Sequence, residues 1–191
     1  MRIGYSLWGM PQVPVEESLP ALAAMGYQGV ELSVRQGWNT ELAALDGPYR
    51  AKIARLLDDT GLVLSAVAAH QNLCDLEEQV AQASIAYLRA SIDLAAELAQ
   101  PGEPSIVASL VGGAPDDWEG RKELLAERIR ALGEYAQGQG VILAVEPHSG
   151  TALDLPDKTT WLLDRVAHPA VQLNFDISHM DVMGIGIDEC V

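Results

Sequence analysis

The 191-residue sequence has two cysteines, Cys74 and Cys190, too few for a disulfide framework. Basic residues are scarce as well: 12 lysines and arginines stand against 27 aspartates and glutamates, a formal net charge of −15. So acidic a chain argues against a nucleic-acid partner, because neutralising phosphates takes a basic surface. Its cations are scattered, as at Arg50, Lys52 and Arg55 or Arg121, Lys122, Arg128 and Arg130, which reads as solvated helix faces. No apolar run is long enough to cross a bilayer. The opening MRIGYSLWGM lacks the basic segment and long apolar stretch of a secretory signal. There is no GxSxG for a serine hydrolase, and neither cysteine has the partner pattern of a thiol nucleophile. The expectation is a cytoplasmic protein with neither membrane nor nucleic acid as partner.

What is present is apolar residues, 49 % of the chain, in short runs that alternate with helical patterns. Strand segments are predicted at Arg2–Leu7, Gly29–Ser33, Leu62–Ala69, Ser105–Leu110, Val141–Val145 and Val171–Phe175. Between them lie amphipathic helices: Val15 onward, with Pro20 expected to bend or shorten it; Tyr49–Leu57, closed by Gly61; Val80–Leu98; Leu124–Ala136; and one through Trp161 and Val166, capped by Asp157. Asp188 reads as the N-cap of one more helix. This alternation implies a parallel sheet with crossover helices, in one α/β domain with no linker.

A doubly wound sheet and a (β/α)8 barrel both satisfy that pattern. The doubly wound reading wants a glycine-rich phosphate turn after the first strand, which SLWGMPQ does not supply; Gly112-Gly113 after the fourth is not one either. Polar residues instead follow several strands: His70 the third, Glu146 and His148 the fifth, Asp176 and His179 the sixth. Chemistry gathered from many strand ends is barrel behaviour. Six βα units are present, however, where a barrel has eight in about 250 residues. The expected fold is therefore an incomplete TIM-barrel type over residues 1–191, truncated after the sixth strand or completed by another subunit, and compatible with a homo-oligomer.

Glu146 and Asp176 are the leading site candidates. Two carboxylates on neighbouring strands are costly to bury together without a cation, and they suit a divalent ion; helix capping or pairing with an arginine is the bland alternative. His179 is a third ligand or a donor to a substrate hydroxyl, or else a loop imidazole bonded to backbone. His148, held beside Pro147, and His70 are weaker substrate-binding candidates. Trp8 either walls a sugar pocket or plugs the barrel mouth. Glu31 alternates with Val30 and Leu32 and points into the pocket or pairs with a cation. His168 belongs at the opposite end of the sheet.

The segments LAVEPHSG (143–150) and LNFDISHM (173–180) resemble the sugar phosphate isomerase/epimerase group of xylose-isomerase-like TIM barrels, and MRIGYSLWG and AMGYQGVELS are similar to that group's first two strands. The resemblance implies a divalent ion (Mn²⁺, Mg²⁺, Co²⁺ or Zn²⁺) held by a Glu, an Asp, a His and a second Glu. Glu146 matches the first Glu and Asp176 the Asp. His179 matches a histidine that contacts substrate beside the metal. The His and second Glu belong to strands seven and eight and have no counterpart here. What is implied is an isomerase or epimerase of a sugar or related keto-polyol, working through a metal-stabilised enediolate, with Glu146 moving the proton and this chain alone weakly active. The absence of a phosphate loop favours a non-phosphorylated sugar. Rival readings are an endonuclease IV-like phosphodiesterase, using His70, Glu146, Asp176 and His179 but lacking a histidine in ASLVGG; a non-catalytic binding or assembly remnant; and a dehydratase or lyase on the same fold.

Overall fold

The computed structural model describes residues 2–190. Six parallel strands form one sheet in the order of the chain: β1 (Gly4–Ser6), β2 (Gly29–Ser33), β3 (Val63–Ala68), β4 (Ser105–Leu110), β5 (Val141–Glu146) and β6 (Val171–Leu173). A doubly wound sheet reverses its strand order at a switch point, and this sheet has no reversal. The helices follow the same progression. They are α1 (Val15–Ala24), α2 (Gly47–Thr60), α3 (Glu78–Glu97), α4 (Trp118–Gly138), α5 (Pro156–Val166) and the short α6 (Ile177–Asp181). α1 packs on α2, α3 on α4, and α4 on α5. The fold is the TIM-barrel type of α/β architecture with six βα units, as expected.

Local chemistry explains most boundaries. Asp46 caps α2 by accepting from the Tyr49 N–H at 2.9 Å, and Gly61 ends it in the left-handed region at φ 69°. α1 runs through Pro20 without a break. Pro20 is solvent-exposed, and its ring leaves the Glu16 carbonyl without its usual helical donor. The core lies between helices and sheet, where Leu19, Leu32, Ile53, Leu88, Ile129 and Leu132 are almost completely buried.

Four expectations need correction. β1 is only three residues long, because Ser6 turns the chain into a 3-10 turn at Leu7–Gly9 by accepting from the Trp8 N–H. β6 stops at Leu173, and Asn174 and Phe175 belong to the loop beyond it. Asp157 does not cap α5; it sits inside the first turn behind Pro156, where its charge suits the helix dipole. Asp188 lies within a 3-10 turn, Ile187–Glu189, preceded by Gly186.

Two irregularities bear on the site. The β2–β3 register shifts between Val30 and Glu31, so that Ser65 is an extra residue whose hydroxyl donates to the Val30 carbonyl at 3.1 Å. Bulges re-aim neighbouring side chains, and this one lies beside Glu31. The Gly112-Gly113 pair has both residues at φ 72°. There the loops after β3, β4 and β5 are laced together: Leu73 donates to the Val111 carbonyl at 2.8 Å and Ala152 to the Gly112 carbonyl at 3.0 Å.

Candidate functional site

The strands and the loops after them deliver residues to one cavity of about 670 Å³ at the carboxyl end of the sheet: Ser6 from β1 and Trp8 after it, Glu31 from β2, His70 after β3, Leu110 from β4, Glu146 and His148 from β5 and its loop, and Asn174, Asp176 and His179 beyond β6. Glu146, Asp176, His179, His148, His70, Trp8 and Glu31, the pocket candidates read from sequence, all line it. His168, by contrast, lies before β6 at the other end, where its Nδ1 accepts from the Ala170 N–H.

At the centre, one ligating atom from each of Glu146, Asp176 and His179 lies within 4.8 Å of the other two. His179 Nε2 is 3.5 Å from Glu146 Oε1 and 3.7 Å from Asp176 Oδ2. Two donors about 2.0–2.2 Å from a common divalent ion are themselves about 3–4.4 Å apart, so this donor set fits one ion with little adjustment. The rest of the ring is already oriented for that task. His179 Nδ1 is 3.3 Å from Ser149 Oγ, and His148 lies against the His179 ring with centroids 3.6 Å apart.

Charge points the same way. Glu146 is 8 % exposed, and no lysine or arginine lines its cavity among the described residues, although Glu31, Glu146 and Asp176 all do. Burial raises the Glu146 pKa and the Asp176 charge adds to that, against a 3.1 Å hydrogen bond donated by Asn174 Nδ2. Burial likewise raises that of Glu31, which accepts a hydrogen bond from the Ser6 hydroxyl and feels Glu146 and Asp176. Asp176 goes the other way. Burial would raise its pKa, but hydrogen bonds from Ser178 outweigh this and the histidines help, leaving it lowered. Asp176 is in fact the N-cap of α6, accepting from the Ser178 N–H at 2.8 Å through Oδ1. Capping by one oxygen leaves Oδ2, the atom that faces His179, free for a ligand.

His70 lines the same cavity. Its Nδ1 accepts from the Leu110 N–H at 3.2 Å, so the neutral ring carries its proton on Nε2 and offers a donor. Burial, then the nearby His148, Arg35 and His179, push its pKa down to about 4. The unfolded chain, with a histidine pKa of about 6.5, therefore binds more protons between those two values, and stability falls as pH drops through that window by up to about 3 kcal/mol. Urea unfolding at pH 7 and pH 4.5 should show this acid loss reduced in His70→Gln. An equal loss in both proteins would exonerate His70.

Trp8 is 41 % exposed and stacks edge-on against His70, with ring centroids 5.1 Å apart. It is a wall shared with a second cavity of about 870 Å³, not a plug. Sequence reasoning passed over Asn174, Ser6 and Ser149. Asn174 was absorbed into a strand that ends one residue earlier, and the two serines carry no signal without the fold.

The sequence profile of the family described as xylose isomerase-like TIM barrel matches residues 19–189. No curated protein matches the chain. Among solved structures, a xylose isomerase-like TIM barrel protein from Mycobacterium smegmatis in complex with magnesium superposes with a TM-score of 0.71 at 22 % identity, over 94 % of this chain and 65 % of that one. The 3-keto-D-glucoside 4-epimerase of E. coli gives a TM-score of 0.80 at 14 % identity, over 100 % and 73 %. The IOLI protein with a bound zinc atom gives 0.82 at 16 %, over 99 % and 67 %. The chain thus spans less than two thirds of the length of the mycobacterial protein. At these identities the likeness is one of fold.

Proposed function

Because the chain belongs to the xylose isomerase-like TIM barrel family, whose profile covers residues 19–189, we propose that it is a divalent-metal-dependent isomerase or epimerase of a sugar or related keto-polyol. One observation carries the reading: Glu146, Asp176 and His179 converge within 4.8 Å in a cavity that holds three carboxylates and, among the described residues, no lysine or arginine. The similar structures with magnesium and with zinc support a divalent ion without choosing between them. The mixed oxygen and nitrogen donors suit Mn²⁺, Co²⁺ or Zn²⁺ as well as Mg²⁺.

Glu146, Asp176 and His179 would hold the divalent ion, which would supply Lewis acidity toward a substrate carbonyl. Glu146 has a second oxygen toward Asn174 and a pKa raised by burial, which suits a carboxylate that takes and returns a proton at the carbon beside the carbonyl. His70, neutral and with Nε2–H available, orients a substrate oxygen. Trp8 offers an apolar face to the sugar ring and keeps water from it. Glu31 is a further carboxylate across the cavity, fixed by Ser6. An endonuclease IV-like reaction is not the better reading, since β4 ends at Leu110 with no histidine and the cavity lacks the cations a phosphodiester backbone wants.

Calorimetric titration with Mn²⁺ and proton NMR in D₂O with a panel of ketoses test this. The expected result is one Mn²⁺ per chain and Mn²⁺-dependent exchange of the proton beside the carbonyl with solvent deuterium. A chain that does not bind Mn²⁺ would overturn the proposal, and binding without exchange would make it a non-catalytic module.

A further inference from the structure

Arg2, Arg50, Arg121 and Arg165 each pair with a carboxylate, and Arg128 and Arg130 donate to backbone carbonyls. Of the three arginines left, Arg89 lies over the Tyr135 ring and Arg55 is on α2, and only Arg35 lines either cavity at the carboxyl end of the sheet. In a chain of net charge −15, partners for a guanidinium are plentiful. Among the described residues, Arg35 nevertheless has no carboxylate within ion-pair distance. Instead its Cζ lies 5.2 Å from the Trp8 ring centroid and 5.5 Å from that of Trp38, and the two indoles are themselves 4.7 Å apart. Flat aromatic faces hold a guanidinium by cation–π attraction while leaving its in-plane N–H groups unspent.

The loop carrying Arg35 is itself anchored. The Thr40 hydroxyl donates to the Ser33 carbonyl at 2.6 Å, Val34 donates to the Ala68 carbonyl at 2.8 Å, and the Gly37 N–H is taken by Glu41. Arg35 lines the 870 Å³ cavity, which meets the carboxylate cavity along Trp8, His70 and Leu110. Among the described residues it is the only lysine or arginine lining either one.

We propose that Arg35, clasped by Trp8 and Trp38, is an anion subsite for a carboxylate carried by the substrate, which is then a keto sugar acid lying across both cavities. The placement of its carbonyl end at Glu146, Asp176 and His179 rests on the metal-site reading; the subsite itself does not. A carboxylate is favoured over a phosphate because one guanidinium fork matches two oxygens, whereas a phosphate dianion asks for more charge and more donors. A second charge is not at hand: among the described residues no other lysine or arginine lines either cavity, and the Gly37 and Trp38 amides are already bonded, to Glu41 and to the Arg35 carbonyl. The subsite also eases a conflict of charge, since it holds the acid in the cavity that Glu31, Glu146 and Asp176 do not line.

The test is calorimetry on the full chain with D-fructuronate, D-fructose and D-fructose 6-phosphate, with and without Mn²⁺, using wild type, Arg35→Gln and Arg35→Lys. Fructuronate is expected to bind about tenfold more tightly than fructose, as a charge-assisted, bidentate contact allows. Arg35→Gln should abolish that preference without altering the affinity for fructose or for Mn²⁺, and Arg35→Lys should restore only part of it. Equal binding of the two sugars by wild type, no detectable fructuronate binding, a preference that survives Arg35→Gln, or a stronger preference for the phosphate would each overturn the proposal. A preference that needs Arg35 but not Mn²⁺ upholds the subsite even where the ion fails to bind; failure to bind Mn²⁺ counts against the metal site alone.

Discussion

Replacing Glu146 with glutamine is expected to lower Mn²⁺ affinity by at least about 100-fold, since even groups that merely orient a metal ligand cost 10–100-fold when removed. The change is nearly isosteric, and a glutamine oxygen still accepts from Asn174 Nδ2. The fold should survive, and the direction of the stability change is informative. Glu146 is a buried carboxylate whose pKa is raised chiefly by loss of solvent, so its charge costs stability in the metal-free chain. Metal-free Glu146→Gln should therefore melt no lower than wild type, while the stabilisation that wild type gains from Mn²⁺ disappears. Asp176→Asn supplies a second reading, because asparagine is as good an N-cap as aspartate and α6 keeps its start. Wild-type Mn²⁺ affinity in both variants would place the ion elsewhere. A collapse of the metal-free melting temperature would show these carboxylates to be structural.

Gly112→Ala is expected to be strongly destabilising, at about 2–5 kcal/mol. A left-handed backbone costs an ordinary residue roughly 1–2 kcal/mol, and overpacking adds about 1–3 kcal/mol. Gly112 has φ 72°, and a Cβ there would lie 2.5 Å from Asn72 Oδ1 and 2.7 Å from Asn72 Cα. The side chain cannot simply swing away, because Asn72 Oδ1 accepts from the Cys74 N–H at 3.0 Å. Gly26→Ala is the control, with φ 91° but nothing within 4 Å of the added carbon. Urea titration should show Gly112→Ala losing well over the control's deficit. Equal deficits would mean that backbone strain alone is at work and that the loops have room to part.

The strand ladder was legible because strands and helices here obey their periodicities: β2 and β4 fall on the apolar runs GVELS and SIVASL without a residue of difference. The errors cluster where side chains compete with the backbone. Ser6 and Asp176 each turn on the N–H two residues ahead, cutting β1 short and starting α6, and a purely hydrophobic pattern does not register such turns. Helix capping by Asp176 stands among the sequence readings as the alternative to metal binding, and the structure shows the cap; the apolar run beside it hides only that β6 ends at Leu173. Within the site, carboxylates and imidazoles at strand ends announced themselves. Arg35 did not. Its distinction is a place on a cavity wall against two indoles, and Trp8 and Trp38 are 27 and 3 residues away in sequence, adjacent only once β1 and β2 lie side by side. The glycine pair at 112–113 was visible but mute: its role depends on Asn72 and Cys74, which approach only in three dimensions.

The uninterrupted strand order has a mechanical consequence. Each strand pairs only with its chain neighbours, and β5 meets β6 along the short seam Leu143–Val145 against Val171–Leu173, which can open locally. Glu146 stands on the β5 side of that seam, Asp176 and His179 on the β6 side. Whatever bridges them rivets the two strands together, so occupancy of the site and local opening of this seam oppose each other.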